Sequence, residues 1–398
     1  MNVLFLTSTL PRYAGDQQAP FVLEQAAAWK RARPSDHLYI LAPHDRDASV
    51  TEQIHGVEIV RYPYMWPARF QTLAYPAILP NIRKRPVRAL QLPAFLFAQY
   101  RAAKKMINTY EIDLVYAHWV MPQGLVARRL KQSTGTPYIL QNHSSDLAVF
   151  RKFGSAGTKI AQKVLSGTDA FFCVNSDQKK AAEDILPDLN PHVLPMGVSL
   201  DIAQIPPVRS PDEARYVLGT VSRLSKKKGI DHLISTAELM TEKEQGFPVG
   251  IAGGGEDEIA LKAMPQKADV TFPGFLSGPE KLQFFSDCFA MAFPSVSAEG
   301  DVEGLPVALL EALAAGKPVI ASADTNIALL EEWPEIKNDV EWLADPANTE
   351  AFASAIERLM ALSPDQVSER SDRLRQIVGR YNWDRLITEY LDVILGSR

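Results

Sequence analysis

Two glutamates, Glu303 and Glu311, stand eight positions apart in the stretch PSVSAEGDVEGLPVALLEALAAGKPVI (294–320). A strand is predicted to end near Pro294, and a polar loop carrying Glu299, Asp301 and Glu303 follows it. Pro306, a residue favoured in a first helical turn, opens a helix predicted over Pro306–Ala315. Glu303 then sits just ahead of that helix and Glu311 in its second turn. The pair makes a good acceptor for hydroxyl groups and a poor ligand for phosphate unless cations intervene. Backbone N–H groups of Gly304, Leu305 and the first turn have no helical carbonyl to reach and can meet a polar ligand.

The cations are supplied by SRLSKKKGID (222–231), where Arg223 and Lys228 flank a tight loop. That loop joins a strand predicted at Tyr216–Val221 to a helix predicted at Gly229–Met240. A guanidinium fork and an ammonium point charge suit a diphosphate. With a helix N-terminus they can stabilise a departing nucleoside diphosphate without Mg²⁺. No metal is expected. Asp45-Arg46-Asp47 and Asp301-Val302-Glu303 have an acid-x-acid spacing, but Arg46 and the nearby cations oppose an ion there. His37, His44, His55, His192 and His232 show no metal spacing and read as structural. His118 and His143 each follow a predicted strand, where an α/β sheet places its ligands.

The elements that must position these residues alternate between short apolar runs and amphipathic segments. In the first half, strands are predicted at Asn2–Thr7, His37–Ala42, Val57–Arg61, Asp113–Ala117, Pro137–Gln141 and Ala170–Val174. Helices are predicted between them at Phe21–Ala32, Ala94–Asn108 and Gln123–Lys131. A proline-rich, polar stretch around residues 195–214 interrupts the pattern, which then restarts. Strands follow at Val249–Ala252, Val270–Phe272, Phe289–Phe293 and Pro318–Ala321, with closing helices near 349–361, 365–380 and 383–396. Such alternation predicts an α/β protein with two doubly wound parallel sheets. The expected division is an N-terminal domain over 1–195, an interdomain linker over 196–213 and a C-terminal domain over 214–380, with 381–398 crossing back to the first.

The 398 residues are 46% hydrophobic and 22% charged, which suits a soluble globular chain and excludes disorder, collagen and coiled coil as the main architecture. The N-terminus MNVLFLTSTLPR lacks a basic n-region and reads as a buried strand, so a cytoplasmic location is expected. The two cysteines, Cys173 and Cys288, lie in apolar runs and read as reduced core thiols. The net charge of −5 is unevenly spread, about +8 over residues 1–200 and about −13 over the remainder. Between Tyr62 and Lys105, aromatics and prolines interleave with Arg83, Lys84, Arg85 and Arg88. Two readings stand side by side for region 62–105: contact with an anionic membrane surface, or a long loop packed on its own domain. No nucleic-acid partner is expected.

The assembled motifs resemble the family 4 glycosyltransferases. VSRLSKKKGID (221–231) resembles that family's donor segment, IAGGGEDE (251–258) its second glycine-rich turn, and the Glu303/Glu311 stretch its paired-glutamate signature. LPRYAGDQQAPFV (10–22), AHWVMPQG (117–124) and NHSSD (142–146) fall where the family has a glycine loop and two histidine motifs. MGVSLD (196–201) resembles the entry to the linker and RYNWDRL (380–386) the last, crossing helix.

The resemblance implies a GT-B fold, two Rossmann-like domains facing across a cleft. It implies a retaining, metal-independent hexosyltransferase that needs no cofactor and takes a nucleoside-diphosphate sugar as co-substrate. The acceptor would be a glycan or lipid-linked saccharide in polysaccharide or cell-envelope synthesis, and the location cytoplasmic or peripheral to the membrane. Arg223 and Lys228 would bind the diphosphate, Glu311 the ribose, and Glu303 with Gly304, Leu305 and Pro306 the sugar and phosphate. Gly15 and Gly254 would approach the donor closely. His118 or His143 would lie near the reacting sugar, with Asp16, His143 and Asp146 on the acceptor side. Glu303, His118, Arg223 and Lys228 form the expected catalytic set.

The chain departs from the pattern twice. The second histidine motif usually reads His-Gly and here reads His143-Ser144, and residues 322–348 hold no glycine where the family has a glycine-rich turn. A nucleotide-sugar epimerase or hydrolase on the same architecture, and a catalytically weak sugar-nucleotide-binding protein, are the alternatives. A nicotinamide enzyme is disfavoured because no Gly-x-Gly-x-x-Gly follows the first strand.

Overall fold

The computed structural model describes residues 1–396 except 14–15, 17–19, 47, 144–146, 148–149, 151–153, 200, 202–203, 207–209 and 298–302. The chain divides into two compact units, Met1–Met196 with Trp383–Arg398, and Gly197–Asn382.

The first unit is built on strands β1 (Asn2–Leu6), β2 (His37–Pro43), β3 (Thr51–Ile54), β4 (Val57–Tyr62), β5 (Leu114–His118), β6 (Tyr138–Gln141), β7 (Phe171–Cys173) and β8 (Pro191–Val193). They lie in the order β3-β4-β2-β1-β5-β6-β7-β8. Only β3 runs antiparallel among the described strands, paired with β4 through His55 and Gly56, whose φ angles of 53° and 78° are those of a tight hairpin turn. Near-continuous apolar runs such as NVLFL in β1 are buried because helices cover both faces. Those helices are α1 (Phe21–Ala32), α2 (Ile78–Lys84), α3 (Leu92–Tyr110), α4 (Gln123–Thr134), α5 (Gly154–Leu165) and α6 (Ser176–Glu183). In α3, Phe95, Gln99, Ala103, Met106 and Ile107 form the buried stripe at helical spacing.

Region 62–105 is largely helical, with part of it packed on its own unit and part exposed. Tyr62, Tyr64, Leu73 and Phe95 join the core, whereas Trp66, Phe70, Val87, Leu90 and Phe97 are exposed.

The second unit holds β9 (Tyr216–Val221), β10 (Val249–Ala252), β11 (Val270–Gly274), β12 (Cys288–Phe293), β13 (Val319–Ser322) and β14 (Val340–Leu343). The order is β11-β10-β9-β12-β13-β14, with every pair parallel. Its helices are α7 (Ile230–Glu242), α8 (Glu258–Lys262), α9 (Gly278–Asp287), α10 (Val307–Ala314), α11 (Trp333–Ile336), α12 (Thr349–Met360) and α13 (Pro364–Val378). The last helix, α14 (Trp383–Gly396), returns to the first unit. It buries Trp383, Leu386, Ile387, Tyr390, Leu391 and Ile394, and its Tyr390 hydroxyl donates to Leu194 O at 2.8 Å. Each sheet is thus a Rossmann-like layer.

Candidate active site

In the second unit, the carboxyl ends of β9 and β12 meet the start of α10 around a cavity of about 110 Å³. Thr220, Ser222, Lys228, Pro294, Ser295 and Pro306 line it. Val307 and Ala308 line it as well, and their first-turn N–H groups lie beyond the reach of any helix carbonyl. The buried hydroxyls of Thr220 and Ser222 have no hydrogen-bond partner among the described residues. A cavity with two unspent hydroxyls, an ammonium and a helix N-terminus is matched to an anion with many oxygens.

Lys228 ends a short 3₁₀ turn, and Gly229 follows with φ 60°. A β-carbon at Gly229 would lie 1.9 Å from the Pro294 carbonyl oxygen, so only glycine lets this turn press against the end of β12. The approach brings Lys228 Nζ to 2.8 Å from Glu303 Oε1, with Lys227 Nζ at 3.5 Å. Burial alone would raise the Glu303 pKa. The two lysine charges and their hydrogen bonds outweigh it and hold the carboxyl below the ordinary glutamate range.

Glu311 is buried in α10, and Lys281 from α9 reaches its Oε1 at 2.7 Å. Arg223 is held from the glycine turn, its Nε donating to Glu256 Oε2 at 3.0 Å. That turn lies flat on the donor segment: Leu224 N–H donates to the Gly254 carbonyl at 3.0 Å. A β-carbon at Gly253 or Gly255 would strike the carbonyl of Ser222 or Leu224 at 1.8 or 2.2 Å. These glycines are accounted for by backbone packing. Gly304 and Pro306 are buried and Leu305 half-buried between Glu303 and the helix.

In the first unit, β5 ends at His118 and β6 leads to His143. His118 is fully buried, and its Nδ1 lies 2.9 Å from His143 Nε2 with the rings stacked at 12°. Burial pushes His143 down to about 3 and His118 well below the usual histidine range, so both are neutral at pH 7. His118 Nε2 is buried without a partner among the described residues. His143 is the less buried member and packs against Phe21 and Trp119. Trp119 takes φ 74°, an uncommon conformation for an aromatic residue and one that gathers at functional sites.

Asp16 is buried, and its carboxylate is taken up by Arg12, which bonds it through Nε at 2.7 Å and reaches Asp45 at 2.7 Å. Gly15, Asp146, Glu299 and Asp301 lie outside the described residues. Among the described residues no group of three or more His, Cys, Asp or Glu is placed to share a metal ion.

The structure thus brings Lys228 and Pro306 to one cavity, pairs Glu303 with Lys228, and brings His118 to His143; Arg223, Glu311, Gly304 and Leu305 do not line that cavity. Sequence reasoning missed Lys281, Lys227, Glu256, Asp324 and Asn326. The lysine that meets Glu311 is 30 residues away on another helix, and no local pattern marks it. Asn326 did carry a signal: it takes φ 60°, and asparagine tolerates the left-handed region better than most residues. It stands within the stretch where family 4 sequences are rich in glycine.

Comparison with known proteins accords with this geometry. Residues 201–377 match the family model "Glycosyl transferases group 1", and residues 21–202 match "Glycosyltransferase Family 4". The two matches relate the chain to the group 1 and family 4 glycosyltransferases, each over a little under half of its length, and the solved structures below share its GT-B fold. A putative colanic acid biosynthesis glycosyltransferase, WcaL, of Escherichia coli is 30% identical over 188 residues, covering 46% of this chain and 45% of that protein. A GDP-mannose-dependent alpha-(1-6)-phosphatidylinositol monomannoside mannosyltransferase of Mycobacterium tuberculosis is 26% identical over 314 residues, 74% of this chain and 78% of that one. Among solved structures, a sucrose-phosphate synthase from Thermosynechococcus elongatus superposes with a TM-score of 0.73 at 18% identity, over 99% of this chain and 98% of that one. An alpha,alpha-trehalose-phosphate synthase from Burkholderia xenovorans gives 0.72 at 11% identity over 99% of both chains.

Proposed function

We propose that the chain transfers a sugar from a nucleoside diphosphate to a hydroxyl of a glycan or lipid-linked saccharide, with retention at the anomeric carbon. The observation that carries this reading is the cavity at the ends of β9 and β12, where Lys228, itself paired with Glu303, meets the α10 N-terminus. The diphosphate would take the cavity, with Arg223 and Lys228 neutralising charge as it departs. Glu303 would hold sugar hydroxyls and Glu311 the ribose. In the transfer, a bond forms between the acceptor oxygen and the anomeric carbon. The bond from that carbon to the diphosphate oxygen breaks on the same face, and the acceptor proton passes to the departing diphosphate. His143, backed by His118, would be the first unit's polar contact for a saccharide. The names of these two relatives, which speak of colanic acid and a phosphatidylinositol mannoside, favour an envelope glycan as the product class.

Thermal unfolding with UDP-glucose, GDP-mannose, ADP-glucose and dTDP-glucose tests the donor. A ligand at 100 times its Kd stabilises by about 2.7 kcal/mol, a shift of a few degrees for a chain this size. One of the four should produce it, and Arg223→Ala or Lys228→Ala should abolish it. Glu303→Ala should lower turnover at least tenfold, about 1.4 kcal/mol. A shift that survives both cation substitutions sinks the donor site, and turnover without acceptor points to hydrolysis.

We further propose that the first unit rests on an anionic membrane surface. The exposed Trp66, Phe70, Val87, Leu90 and Phe97 are interspersed with Arg69, Arg83, Lys84, Arg85 and Arg101 along residues 66–101. Apolar rings at headgroup depth and cations beside acidic lipid are the ingredients of peripheral binding. No helix among the described residues is long and apolar enough to cross a membrane. The protein should float with phosphatidylglycerol vesicles at low salt and release as salt rises. Failure to float at low salt rejects the surface.

A further inference from the structure

The turn that follows β13 carries no glycine, yet it makes a dense set of contacts with the donor loop. Ser322 Oγ donates to the Ser295 carbonyl at 2.6 Å, and Ser295 lines the cavity. Asp324 accepts from the Ser297 N–H at 2.7 Å and from its hydroxyl at 3.0 Å. Asn326, at φ 60° and ψ 19°, donates through Nδ2 to the Glu303 carbonyl at 2.5 Å. Residues 295–297 and 303 are the two stems of the loop, and this one turn grips both. The turn is itself fixed from below: Ser322 and Thr325 are fully buried, and Thr325 Oγ1 donates to the Ser322 carbonyl at 2.7 Å.

We propose that Asn326 and Asp324 are positioning residues for glycosyl transfer, which set the direction of the Glu303 carboxylate by holding the two stems of its loop. The carbonyl that Asn326 grips and the carboxylate that meets Lys228 belong to the same residue. A small rotation of the Glu303 backbone would carry its side chain away from Lys228 and from any sugar hydroxyl. A glycine at 326 could adopt the same left-handed backbone, but it could not donate. The asparagine therefore adds to the turn a hydrogen bond that glycine lacks. An aspartate at 326 would keep the shape and set a carboxylate oxygen against the Glu303 carbonyl, two acceptors face to face. The inference rests on the donor reading above.

The test uses the full chain and whichever of UDP-glucose, GDP-mannose, ADP-glucose and dTDP-glucose binds the wild type. Asn326→Gly keeps the backbone and should leave the unfolding midpoint within a few degrees. It should lower kcat about tenfold or more and raise the donor KM, with the acceptor KM unchanged. Asn326→Asp should be at least as severe. Asp324→Asn retains one acceptor for the Ser297 N–H and should lose less than Asp324→Ala. The deciding measurement is a double-mutant cycle on donor affinity and rate: in a Glu303→Gln background, Asn326→Gly should add no further loss. Wild-type kcat and donor KM in Asn326→Gly overturn the inference. So does a full tenfold loss on top of Glu303→Gln, because the asparagine would then act on something other than Glu303. If the wild type binds none of the four nucleotides, the donor reading itself falls and takes this inference with it.

Discussion

At the scale of single residues, the two histidines of the first unit carry the clearest consequence. Both are neutral when folded, His143 with a pKa of about 3 and His118 well below its usual value, because burial disfavours the imidazolium. The unfolded chain binds protons at both near pH 6.5. The folded state should therefore be fully stable on this account above about pH 6.5 and lose stability as pH falls from there toward 3. Each histidine steepens the loss by up to about 1.4 kcal/mol per pH unit. His143→Gln should flatten the pH dependence of the unfolding midpoint between pH 6.5 and 4. An unchanged slope would mean that the ring is protonated in place. This pairing was only half legible in sequence. That His118 and His143 end adjacent strands follows from the alternation of elements, but which of them is buried depends on how the rings of Phe5, Phe21, Tyr116 and Trp119 pack. Glu303 and Lys228 were legible because their positions at strand and helix ends force them together. Lys281 was not, since it meets Glu311 from another helix, and Asn326 signalled a left-handed turn but not its partner.

At the scale of elements, the apolar runs located every interior strand among the described residues, and the misses share one cause. Three strands went unread: β3, β8 and β14, and each stands at the edge of its sheet. An edge strand needs little burial, so TEQI, PHV and VEWL carry no apolar run, and Trp342 in β14 is 45% exposed. Gly229 and the glycines at 253–255 were legible as turns, whereas the reason for Gly229, Gly253 and Gly255 is contact with neighbouring backbone. Gly229→Ala tests that reason, because it adds a β-carbon 1.9 Å from the Pro294 oxygen at φ 60°. It should cost about 1–3 kcal/mol or more in stability and weaken nucleotide binding as Lys228 moves. Gly379, with nothing within 4 Å of its added β-carbon, is the control, and Gly379→Ala should unfold like the wild type. Equal midpoints for the two variants would refute the close-approach account.

At the scale of the whole molecule, two doubly wound sheets were legible because the alternation of elements stops near residue 195 and begins again near 216. The uneven charge was legible too, and the excess of positive charge falls on the unit that exposes the aromatic stretch. The path of the chain has a further consequence. The second unit is one continuous stretch, Gly197–Asn382, inserted between the two parts of the first. The first unit closes only when the Tyr390 ring meets that of Phe172, tilted at 42° with centroids 4.9 Å apart, and α14 covers α1, and α14 is made after the whole of the second unit. On the ribosome, the order of completion should therefore run against the order of synthesis. The second unit can finish folding while the first still waits, its flank uncovered, for residues 383–396 to emerge. A ribosome stalled just past residue 382 would hold a chain whose later half is done and whose earlier half is not.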